Sequence, residues 1–151
     1  MGATQGGVKR AASSWSEAVV SHGLAPMLSL LEDQALQMAT AMLPQGEWSG
    51  LQRVMHQGLP IFCPLLSGGR TRIEVTAPGE GEGIELDALL AGLAVTAHAA
   101  EYLYFGSDSR FAIADKVRSY KYLVQDHARF AMAISNKRLL GRYEELLGLD
   151  W

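Results

Sequence analysis

Residues 46–93, GEWSGLQRVMHQGLPIFCPLLSGGRTRIEVTAPGEGEGIELDALLAGL, decide the fold. Trp48, Leu51 and Val54 lie in a first run that Gln57-Gly58 closes as a hairpin turn. Leu59 to Leu66 is a second, apolar run. Its Pro60 and Pro64 lack ladder donors, which confines it to an edge or irregular strand. Ser67-Gly68-Gly69 makes another tight turn, because paired glycines take positive φ. Arg70 to Ala77 then alternates, with Thr71, Ile73, Val75 and Ala77 on one face and Arg70, Arg72, Glu74 and Thr76 on the other. The pattern predicts a three-stranded antiparallel meander with one solvated face.

Pro78 to Gly83 is a loop in which glycines alternate with Glu80 and Glu82. A phosphate cradle needs exposed amides at a helix start and usually a Lys, so these carboxylates argue against nucleotide binding. Their spacing does not match a calcium loop, and no metal is expected. The segment from Leu86 to Phe105 predicts a helix that is apolar nearly all round and therefore central and buried. Ala88, Gly92, Thr96 and Ala99 give it a small-residue face for close approach by another element. His98 and Glu101 meet at helical spacing on its one polar edge. A general acid/base pair would read this way, but so would a histidine made comfortable by its neighbour, and no nucleophile accompanies the two.

Working outward, residues 1–12 are rich in Gly, Ala, Ser and Gln and predict a disordered tail ahead of a single α+β domain over 13–151. Ser13 or Ser14 starts a short helix that His22-Gly23 ends. A second helix begins near Pro26 and stops at Pro44, with Leu30, Leu31, Gln34, Ala35, Met38 and Met42 as its stripe. Ser107 or Asp108 caps a helix through about Arg129. Its expected buried stripe is Ile113, Val117, Tyr120, Val124 and His127/Ala128, and its wet face is Asp115, Arg118, Tyr122, Gln125 and Arg129. A last helix runs from about Ser135 to Leu147, ended by Gly148, with Trp151 either tucked against it or free as an anchor. The expected architecture is a small three-stranded antiparallel sheet packed with N-terminal and C-terminal helices.

Composition narrows the function. The 151 residues are 48% hydrophobic and 19% charged with a net charge of −3, which suits a globular domain and does not point to nucleic acid. Cys63 is the one cysteine, so no internal disulfide forms and a reducing, cytoplasmic setting is expected. No run is long and apolar enough to span a membrane. Charge is split along the chain. Ile73 to Ser109 holds seven carboxylates and no Lys or Arg, whereas Arg110 to Arg142 holds eight basic residues against Asp115 and Asp126. Such a split can orient a partner or a second copy of the chain, or simply pair across the surface. Tyr102, Tyr104, Tyr120 and Tyr122 near Arg118 and Lys121 would suit base stacking, although Tyr is also a common border residue. Direct nucleic-acid binding is not the expectation, and whether the basic helix over 110–129 meets protein or nucleic acid stays open. Cys63 with His56 is the remaining chemical candidate, but Ile61-Phe62-Cys63-Pro64-Leu65 reads as buried strand and an inert thiol.

Several of these features together resemble the ArdB-type antirestriction proteins carried by plasmids and integrating elements. Gly46-Glu47-Trp48 takes the place of that family's Gly-Trp stretch. Gln57-Gly58 through Phe62 and Pro64 is similar to its strand pair about an Asn-Gly turn. Asp87-Ala88 with Ala91-Gly92-Leu93 resembles its Asp-Ala-Ala-Gly helix start, here spread out. The resemblance covers roughly residues 27 to 130. It implies interference with a host defence protein, such as a type I restriction complex, by binding, with no catalysis and no cofactor. The partner-binding candidates are Trp48, Glu80, Glu82, Glu85, Asp87, Tyr102 and Asp108, and a homodimer is a possible assembly. A small regulatory or ligand-binding scaffold module of a mobile element is the alternative.

Overall fold

A computed structural model describes residues 14–79, 82–106 and 112–148. The tail over 1–12, the candidates Glu80 and Asp108, and Trp151 lie outside the described residues. Among those residues the fold is α+β, with five α-helices and two separate two-stranded antiparallel sheets.

Helix α1 covers residues 14–21 and turns at Gly23, whose φ of 72° suits glycine. Its Trp15 is buried, sets its ring edge-on to Phe62 and donates its indole N–H to Ile61 O at 3.2 Å. A 3-10 turn at Ala25–Met27, with Pro26 in its first turn, leads into α2, Leu28–Met42. Leu31, Ala35, Ala39 and Met42 form the buried face of α2, whereas Leu30, expected on that stripe, is exposed.

Strand β1, Trp48–His56, pairs with β2, Leu59–Leu66, about the expected turn. Gln57 and Gly58 both have positive φ, the conformation whose twist matches a two-residue hairpin. The three-stranded meander does not form. Gly68 and Gly69 do turn with positive φ, but the chain bends again at Thr71, which is exposed, and strand β3 begins only at Ile73. β3, Ile73–Thr76, pairs with β4, Gly83–Leu86, a segment whose sequence reads as loop and helix start. The physical reason lies on the outer edge of β2. Thr96 of helix α3, Ala88–Gly106, accepts from Phe62 N–H at 3.1 Å and donates to Phe62 O at 3.2 Å. A helix occupies the edge that a third strand would need.

The small-residue face of α3 makes this possible. A Cβ on Gly92 would stand 2.4 Å from Cys63 Sγ and 2.6 Å from Phe62 O, so the helix axis can approach this closely only with glycine there. Asp87 caps α3 by accepting from Leu90 N–H at 2.8 Å, which places the helix start after Leu86. As expected, α3 is central: Leu90, Leu93, Val95, Ala97 and Ala100 are buried, and α2, α4, β2, β3 and β4 all pack on it. Ile73, Val75, Ile84 and Leu86 form the inner face of the second sheet.

Helix α4, Ala112–Ser135, runs a turn and a half further than expected, and a 3-10 turn at Lys137–Leu139 separates it from α5, Leu140–Leu146. Val117, Tyr120, Val124, Ala128 and Met132 are its core face, and Gln125 joins them rather than the wet face. Buried Tyr143 of α5 donates to Leu90 O at 2.6 Å, tying the C-terminal helix to α3.

Candidate functional site

The side chains with the greatest chemical potential in the sequence are tied into the fold. Cys63 is buried against Gly92, and burial, followed by the negative charge of Asp87, pushes its thiol up to about 12. A thiol held protonated in this way is not a nucleophile. His56 does not serve it. Its Nδ1 lies 2.9 Å from Nδ1 of His127 on α4, so one ring donates the proton that the other accepts. Burial and then the neighbouring His127 charge lower the His56 pKa. The sequence carries no signal for this pair, whose members are 71 positions apart.

His98 and Glu101 do approach, with Nδ1 4.0 Å from Oε2. Leu146 O can only accept, so His98 Nε2, at 2.6 Å, carries a proton and donates it. Glu101 also sits 4.0 Å from the ammonium of Lys121, and that ammonium lies over the rings of Tyr104 and Tyr122 at 5.5 and 4.8 Å. The partners of the pair are thus a backbone carbonyl and an ion-paired ammonium, an arrangement that ties α3 to α4 and α5. Beside it Met38, Pro78, Tyr102, His98 and Glu101 line a largely apolar cleft of about 420 Å³.

The partner-binding candidates among the described residues line different depressions. Trp48 is half-buried in a cleft with Thr40, Leu43 and Gln45. Tyr102 is 57% exposed on the wall of the His98 cleft. Glu82 lines a shallow depression with Arg142 and Glu145, while Glu85 and Asp87 share another with Arg72. Glu85 is also paired across the ladder with Glu74, and both are exposed on the outer face of the β3–β4 ribbon. Like charges directly opposite each other oppose pairing. Reading Arg70 to Ala77 as an alternating strand located Glu74 on a solvated face, but its partner was hidden because Gly83 to Leu86 carries too little strand signal.

No family model matches this chain, and neither a curated protein nor a solved structure matches it.

Proposed function

We propose that this chain is a mobile-element counter-defence protein that inhibits a host system, such as type I restriction, by binding a host protein without catalysis. The observation that carries the reading is the opposed Glu74–Glu85 pair, displayed on an exposed ribbon with Glu82 and Asp87 exposed near its ends. Their repulsion is relieved by a basic surface, which an enzyme that grips the DNA backbone must present. The buried, protonated Cys63 and the structurally engaged His98 support a binding role over a catalytic one. The resemblance to ArdB-type proteins supplies the target class.

The test is plating of unmodified phage on cells carrying a type I system, with and without the protein. Wild type, Cys63→Ala and His98→Ala are expected to rescue plating, and a Glu74→Lys, Glu85→Lys double variant to lose rescue while its circular dichroism is unchanged. No rescue by soluble, folded wild type removes type I restriction as the target. A small ligand-binding scaffold is the second reading, favoured by the cleft of Met38, Pro78, Tyr102, His98 and Glu101. In that case rescue is absent, and ligand-induced protection maps to Tyr102 instead.

A further inference from the structure

Cross-strand register fixes which way the backbone of β1 points. Phe62 donates its N–H to Thr96 Oγ1 and accepts from that hydroxyl at its C=O, both away from β1, and Phe62 is the register partner of Arg53. In an antiparallel ladder the two members of such a pair share the same state, so the N–H and C=O of Arg53 also point away from the hairpin, toward the other side. By the period of two, Leu51 and Met55 do the same. No described group takes a hydrogen bond from these backbone atoms or gives one to them. Beside them runs a cleft of about 450 Å³ between α2 and the hairpin, floored by Phe62 and walled by Leu36, Leu51, Glu32 and Arg53. Leu36 is 49% exposed there, and Arg53 is held by Glu32 at 2.5 Å.

We propose that the outer edge of β1 is a docking site for an extended segment of a partner protein, which adds as a third strand and places one bulky apolar side chain in the Leu36–Leu51 cleft. This site rests on the protein-binding reading and names a surface for it. Open backbone groups supply sequence-independent affinity in such a complex, and the cleft supplies the selectivity. A second copy of this chain is a poorer occupant. Antiparallel pairing centred on Arg53, the register that uses all three open residues, sets Arg53 directly against its own copy. A nucleic acid is poorer too, since the cleft sets the carboxylate of Glu32 beside its single cation, Arg53.

A random dodecapeptide library displayed on phage, selected against the full chain, tests this. The selected peptides are expected to alternate apolar and polar residues. N-methylation of every second peptide amide should weaken binding at least tenfold in one phase and have little effect in the other. Bound peptide should slow exchange of the Leu51, Arg53 and Met55 amides. Arg53→Pro removes an outward N–H without touching the β1–β2 ladder and should also weaken binding at least tenfold; should it fail to fold, Leu36→Glu in the cleft wall replaces it. The proposal is overturned if peptides bind both variants as tightly as wild type, if protection falls on another surface, or if light scattering shows a dimer that Arg53→Pro dissolves. In the plating assay, rescue by both variants condemns this edge alone, whereas no rescue by wild type condemns the type I target and leaves the peptide result to judge the edge.

Discussion

The two edges of the β1–β2 hairpin are handled in opposite ways. On β2, Pro60 and Pro64 stand in the same phase as Phe62, so their missing N–H groups fall on the side away from β1, where no ladder bond is lost. The carbonyl of Pro60 accepts from buried Tyr120, and Phe62 is satisfied by Thr96. β2 is therefore an edge strand sealed by two helices. On β1 the equivalent groups of Leu51, Arg53 and Met55 have no partner among the described residues, and the side chains beside them are exposed or half-buried. Proteins commonly blunt open edges with charges and bulges. This one has Arg53 and an irregularity between Trp48 and Leu51, yet leaves the middle of the strand usable. The difference teaches that the sealed edge organises the fold, while the other, open among the described residues, is the one proposed for recognition.

Breaking the seal has the largest expected effect. Thr96→Val keeps the shape but strands the N–H and C=O of buried Phe62. The loss should be about 2–3 kcal/mol in urea unfolding, because each unsatisfied buried group costs on the order of 1–3 kcal/mol. Next comes Gly92→Ala. Its methyl meets Cys63 Sγ and Phe62 backbone at distances no side-chain rotation relieves, so α3 must lift from β2 at a cost of about 1–3 kcal/mol. Combining it with Cys63→Ala should restore little, since Phe62 O remains in the way.

A smaller effect concerns the tie between the end of β1 and α4. Because the folded-state pKa of His56 is lowered below its ordinary value near 6.5, the unfolded chain binds more protons in that range. The contribution is intact above pH 6.5 and is lost as pH falls below it. No described carboxylate lies within ion-pair distance of either ring to offset this, and Asp126 on α4 faces Arg129 instead. Melting temperatures measured from pH 7.5 to 5 should fall less steeply for His56→Gln than for wild type. Smallest is a gain. Gln57 holds a φ of 50° in the turn, a conformation that Asn adopts more readily, so Gln57→Asn should stabilise the hairpin by up to about 1 kcal/mol in thermal unfolding.

Much of this arrangement was legible in the chain. Gln57-Gly58 marked the hairpin, the apolar run around Gly92 and Thr96 marked a buried helix with a close-approach face, and Ile73, Val75 and Ala77 announced their buried side by alternation. Ile73–Thr76 is a strand as expected, but not the third strand of the meander, because local turn chemistry at Gly68-Gly69 says nothing about which edge is free, and that edge is taken by Thr96 from 34 positions away. Gly83 to Leu86 is too short and too glycine-bounded to read as a strand, so the Glu74–Glu85 juxtaposition stayed hidden. Of the candidate acids, Glu82, Glu85 and Asp87 are exposed, but their division among separate depressions follows from tertiary packing alone.

Amide hydrogen exchange in the free protein at neutral pH tests the contrast between the two edges most directly. The account predicts that Phe62 N–H, bonded to Thr96, exchanges only through large-scale opening, while Leu51, Arg53 and Met55 exchange orders of magnitude faster than their ladder-bonded neighbours Gln52 and Val54. Protection at Arg53 equal to that at Phe62 would mean that the outer edge of β1 is already covered, and would contradict the account.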